Sequence, residues 1–146
     1  MVLKKIFLSY AHQDVPLVEQ LKKYLSPLEQ DGSIYICDAY DINAGTEQEH
    51  ETAQNLNSAD IILLMVSPEF LDSDYCYSPE MRRAIERHER GEARVIPVIL
   101  RPVYYQRTPF GRLQTLPTNG HPIVASNWKS LDDAFLDVAE GIRRAA

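Results

Sequence analysis

The run ADIILLMVS, Ala59 to Ser67, is apolar almost without interruption. A strand with one face in water alternates apolar and polar residues. This one does not, so both of its faces need cover, as in the centre of a parallel sheet with helices on either side. The flanking pattern agrees. KKIFLSY, Lys4 to Tyr10, is a short apolar run ending at polar AHQD, where Asp14 is placed to cap a helix carrying Leu17, Val18, Leu21, Leu25 and Leu28. SIYICDAYD reads as a strand between Gly32 and Gly45, and Thr46 with Glu49 three residues on forms a capping-box signal for a second helix.

A further helix is predicted from about Pro79 to His88, and RVIPVIL, Arg94 to Leu100, returns as a fourth strand. Pro97 has no N–H for a ladder, so that strand carries a bulge or lies near an edge. From Arg101 to Pro122 four prolines and two glycines break any period, and a short helix or a functional loop is expected there. PIVAS reads as the last strand. Ser130 caps a final helix with Asp132 and Asp133 in its first turn, Leu131, Phe135, Val138 and Ile142 on one face, and Arg143 and Arg144 at its end.

Strands alternating with helices over 146 residues, 45% of them hydrophobic, imply one α/β domain, residues 1–146, with a doubly wound and mostly parallel sheet of about five strands. Such sheets bind ligands outside the carboxyl ends of their strands, here the loops after Ser9, Asp38, Ser67 and Leu100.

Several function classes are disfavoured. A net charge of -6 and a pI near 5.2 give no electrostatic footprint for nucleic acid or an anionic membrane. No apolar run approaches the roughly 18 residues of a membrane helix. Cys37 and Cys76 have no metal-ligand spacing and no signal-like segment precedes the first strand, so a cytoplasmic protein with free thiols and no metal is expected. The first strand-to-helix turn, YAHQD, lacks the glycines of a dinucleotide or Walker loop. MVSPEF lacks the aspartate of a phosphoacceptor receiver, and neither Ser9 nor Ser67 sits in a G-x-S-x-G elbow.

IFLSYAHQD near the start, DAYDINAGTEQEHETAQNLNSADIILLMVSPEFLDSDYCYSPEM in the middle and RVIPVIL after it together resemble the bacterial Toll/interleukin-1 receptor (TIR) domains, over nearly the whole chain. The resemblance implies a flavodoxin-like, three-layer fold with a five-stranded parallel sheet. It implies that the loop from about Ala39 to Thr46 takes part in self-association and overhangs a nucleotide pocket. Many members cleave NAD+ between nicotinamide and ribose with a glutamate four residues after a usually aromatic position, and CYSPE puts Glu80 at the glutamate. Cys76 takes the aromatic position, with Tyr75 and Tyr77 beside it. NAD+ is then the substrate and no cofactor is implied. Other members are adaptors, and bacterial TIR domains are often joined to sensor modules in defence proteins. The end at GIRRAA, where the last helix stops, is what an excised N-terminal domain of a longer protein would look like, and a short complete protein is the alternative.

Glu80 has two readings. A proline at the first helical position with a glutamate beside it is a common helix start, and the macrodipole favours the carboxylate by roughly 0.3–1 kcal/mol. As a catalytic group it would act alone, whereas glycosidases normally use two carboxylates. NAD+ removes that need, because its nicotinamide is already cationic and leaves without a proton, while the ribose gains oxocarbenium character that one anion stabilises. Around it, Ser9 and Tyr10 line the pocket or cap a turn, Asp38 orients the overhanging loop, Asn43 reaches the ribose and Gly45 supplies a positive φ. Ser67 bonds the substrate or caps the next turn. Trp128 reads as a packing anchor.

Overall fold

Four parallel strands form the centre of the protein: β1 (Lys4–Ser9), β2 (Ile34–Asp38), β3 (Ile61–Val66) and β4 (Arg94–Ile99), in the order β2-β1-β3-β4. The structure is a computed structural model that describes residues 3–38, 54–118, 120–125 and 128–146, apart from the side chains of Asp38, Asp74 and Tyr75. The named helices are α1 (Val15–Gln30), α2 (Pro68–Leu71), α3 (Pro79–Glu89) and α4 (Leu131–Ala145), and residues 54–58 are also helical. The expected capping box at Thr46 and the loop from Ala39 lie outside the described residues.

Every residue of β3 is buried, and the parity of the strand explains its lack of alternation. Ile61, Leu63 and Met65 meet α1 and α4 through Val18, Leu21, Leu25, Phe135, Val138 and Ile142. Ile62, Leu64 and Val66 face the other way, onto Leu56, Phe70, Met81 and Ala84. The sheet is therefore the middle of three layers, as predicted, and β3 pairs with β1 from Ile6↔Ile61 to Ser9↔Leu64 and with β4 from Ile61↔Arg94 to Val66↔Ile99. Among the described residues no helix is long and apolar enough to cross a membrane.

The expected fifth strand is not formed among the described residues. The outer edge of β4 is shared between two segments. Leu116 donates its N–H to the Pro97 carbonyl (2.9 Å) and accepts from Ile99 N–H (2.9 Å), while only Ile123 and Val124 of PIVAS reach the strand, donating to Ile99 and Leu100 (both 2.9 Å). Pro122 has no N–H to extend that ladder. Pro97 lies on this edge strand, where its missing donor interrupts no sheet partner and the register with β3 runs without a bulge.

No named helix occurs in residues 101–118; the segment is a chain of turns anchored by Phe110, fully buried and tilted against Phe70 at 6.2 Å. Gly111 is required there, since a Cβ would lie 2.3 Å from the backbone oxygen of Gln106. Trp128 packs on the α1–α4 side of the core and donates its indole N–H to the Pro122 carbonyl at 2.8 Å.

Candidate functional site

Glu80 stands in the first turn of α3 at the carboxyl end of the sheet. Ser78 caps the helix, its hydroxyl accepting from Met81 N–H at 3.2 Å, and Pro79 occupies the first helical position, where no N–H is missed. Met81, next along, is fully buried, so the helix start is pinned to the core while Glu80 itself stays partly exposed. The far end is fixed as firmly. Arg87, 7% exposed, donates from Nη1 to the carbonyls of Leu56 (2.6 Å) and Ala59 (2.9 Å), which closes the backbone acceptors left by the turn before β3. A helix held at both ends carries its N-terminal carboxylate on a fixed backbone, at the positive end of the helix dipole.

At the carboxyl end of the sheet, the segments that follow β1, β3 and β4 meet in a partly buried ionic cluster. Asp14, expected as the cap of α1, makes no side-chain cap bond; its carboxylate is 2% exposed and turns inward instead. One oxygen accepts from the Ser67 hydroxyl and the other from Arg101 Nη2 at 3.1 Å, and that same nitrogen pairs with Glu69. Two tertiary donors, one charged, outweigh the local N–H groups that a cap would satisfy. Partial burial works against the Arg101 charge, yet the carboxylates of Glu69 and Asp14 overcome it and hold the guanidinium above its ordinary pKa. Glu69 is held below the usual carboxylate range, first by its own backbone N–H, with partial desolvation opposing and Arg101 assisting.

The fold places the candidate residues differently. Ser67 is fully buried, and its hydroxyl is engaged on both sides: it donates to Asp14 and accepts from Phe70 N–H (3.1 Å) as the cap of α2, so the capping alternative describes its place. Ser9 closes β1 opposite Leu64 and is 5% exposed, and Tyr10 packs partly buried against the core. Cys76 is fully buried among Phe70, Met81 and Ala84, where burial pushes its thiol up to about 11. Tyr77 beside it is 61% exposed. Asn43 and Gly45, with the side chains of Asp38 and Tyr75, lie outside the described residues. Both cysteines are free thiols.

Arg101 and Glu69 carried no expectation from the sequence. Their one legible signal is position, since each charge follows an apolar strand by one or a few residues, where ligand-facing loops begin. Chemically, the end of the sheet offers the partly exposed carboxylate of Glu80 on a capped helix start, while Arg101 is already paired with the carboxylates of Asp14 and Glu69.

The sequence model of the family described as TIR domain matches residues 6–135. A protein of Sinorhizobium fredii (strain NBRC 101917 / NGR234), named uncharacterized protein y4lF, is 46% identical over 141 residues, which is 97% of this chain and 43% of that protein. The chain thus spans less than half the length of this relative.

Proposed function

This chain belongs to the TIR domain family, and on that premise we propose that it is an NAD+ nucleosidase in which Glu80 is the catalytic carboxylate, activated by self-association of TIR domains in bacterial defence signalling. The placement of Glu80 carries the reading: a single, partly exposed carboxylate in the capped first turn of α3, at the end of the sheet where such folds bind ligands. In the reaction the bond between C1′ of the ribose and the pyridinium nitrogen breaks, and its electron pair leaves with neutral nicotinamide. Glu80 faces the positive charge that grows on the ribose and accepts hydrogen bonds from its hydroxyls. Water then adds to C1′ and releases a proton, giving ADP-ribose, or a nucleophile within the same molecule adds to C1′ with loss of a proton and gives a cyclic isomer. No general acid is needed. The loop from Ala39 to Thr46 of one copy completes the pocket of the next.

One observation favours a second reading, a non-catalytic module for TIR–TIR contact. Cys76, at the position where catalytic members usually carry a ring, is wholly buried and offers no stacking face. Tyr77, exposed three residues before Glu80, supplies that face in the catalytic reading. Nicotinamide release from NAD+, followed from dilute to bead-clustered protein, decides between them. Catalysis predicts release that rises with clustering and falls by about 10²-fold or more in Glu80→Gln, the scale for losing one preorganised electrostatic contact. Turnover retained in the variant would remove Glu80 from the mechanism, and no release at any density would favour the contact module.

A further inference from the structure

A cleft of about 460 Å³ opens at the end of the sheet away from Glu80. Its floor is the start of β4, Val95 and Ile96, with Leu113 and Leu116 on one wall and Gly141 and Ala145 of α4 on the other. Gly141 keeps that wall close, since a Cβ there would meet Leu116 Cδ2 at 2.5 Å. A second, more polar recess of about 410 Å³, with Lys4, Asp60 and Glu92 on its rim, adjoins it. Three residues line both: His88, Arg94 and Ala145. An apolar space therefore runs into a polar one, and two nitrogenous side chains stand where they join.

Those side chains have donors to offer. Val95 N–H donates to His88 Nδ1 at 3.0 Å, which leaves the ring proton of the neutral imidazole on Nε2. Arg94 is exposed, and its guanidinium makes no hydrogen bond or ion pair among the described residues. The nearby carboxylates are engaged elsewhere: Asp60 accepts from Lys5 N–H (2.8 Å), Glu92 lies 3.6 Å from Arg87 Nε, and Glu89 pairs with Arg112. A chain with a net charge of -6 thus places an arginine with no hydrogen bond or ion pair among the described residues beside an imidazole N–H at the mouth of an apolar cleft. The volume is within the range of small-molecule sites.

We propose that this cleft binds an amphipathic organic anion, an aryl or acyl body lying against Val95, Ile96 and Leu116 with its carboxylate or phosphate head at Arg94 and His88. The site is separate from Glu80 and stands whether or not NAD+ is cleaved.

The test titrates the whole chain with 2-naphthoate and 2-naphthyl phosphate, following backbone amide resonances, beside neutral 2-naphthamide and inorganic phosphate. Saturable shifts are expected at Val95, Ile96, Leu116, Gly141 and Ala145, with the tighter of the two anions identifying the preferred head. The neutral amide should bind about tenfold more weakly, and so should either anion to Arg94→Gln, as the loss of a charge-assisted hydrogen bond requires. Arg107→Gln, at an exposed position that lines neither recess, checks that a general loss of positive charge is not the cause and should weaken binding less. Shifts absent to millimolar ligand or mapped elsewhere would overturn the proposal. So would equal affinity for the amide, or inorganic phosphate binding as well as naphthyl phosphate.

Discussion

Replacing Arg101 by methionine should destabilise the fold by about 2–3 kcal/mol, well above the usual cost of a surface charge. Asp14 is 2% exposed, and its carboxylate accepts from the Ser67 hydroxyl and from Arg101 Nη2 at 3.1 Å. With the guanidinium gone, a buried anion keeps one neutral partner. Breaking a fully buried pair in this way costs about 3–5 kcal/mol. Arg101 is not fully buried, however; its side chain is 32% exposed, so water reaches the vacated position and recovers part of the loss. The estimate therefore sits nearer the worth of a charged hydrogen bond, about 1.5–3 kcal/mol. For a domain of this size that shift lowers Tm by roughly 4–12 °C. Urea unfolding, followed by circular dichroism and Trp128 fluorescence, measures it, with Asp14→Asn and the double variant completing a cycle. The double variant should be less destabilised than the sum of the singles, because removing the charge at Asp14 removes what Arg101 compensates. A single-variant cost below about 0.5 kcal/mol, or strictly additive singles, would refute the account and class the pair with solvent-screened surface bridges.

Ser78→Ala should cost about 1 kcal/mol, since it frees the Met81 N–H at the start of α3, and the urea midpoint reads it directly. Cys76, with its thiol pushed up to about 11 by burial, keeps its proton in the folded state after the unfolded chain has lost it. Its contribution is therefore complete below the ordinary thiol value and declines as the pH climbs from about 9 toward 11. Urea midpoints across that range should fall more steeply in the parent than in Cys76→Ala, and a thiol reagent should label neither cysteine until the chain unfolds. Rapid labelling of Cys76 in the native protein would contradict its place in the core.

Elements whose signal is local were legible in the chain. The unalternating ADIILLMVS run placed β3 at the centre because a strand covered on both faces must be apolar at both parities. Ser130 with Asp132 and Asp133, and Pro79 with Glu80, marked the starts of α4 and α3, because the signals of a helix start lie within one turn. Asp14 shows where this logic ends. A carboxylate before a helix has the same local pattern whether it caps or turns inward, and here its partners, Ser67 and Arg101, lie 53 and 87 residues away. The expected fifth strand failed for a related reason: PIVAS has the composition of a strand, but the β4 edge it reaches is shared with Leu116.

The candidate site divides along the same line. Glu80 could be found from SPE at a helix start and from the family motif, and its position at the carboxyl end of the sheet follows from the order of strands and helices alone. Whether Ser67 and Cys76 face a ligand or the core could not be read from their neighbours in the chain, because burial is decided by what packs on them, and Phe70, Met81 and Ala84 do so from α2 and α3. The Arg94–His88 cleft is further removed still. Its walls come from β4, residues 112–116 and the far end of α4, and none of these segments carries a mark of the others. The sequence determined the layers, the helix starts and the carboxylate, since each depends on periodicity or on contacts within a turn. Only the tertiary structure decided which charges are buried, which edge is taken and where a cavity remains, since those depend on residues that meet across the fold.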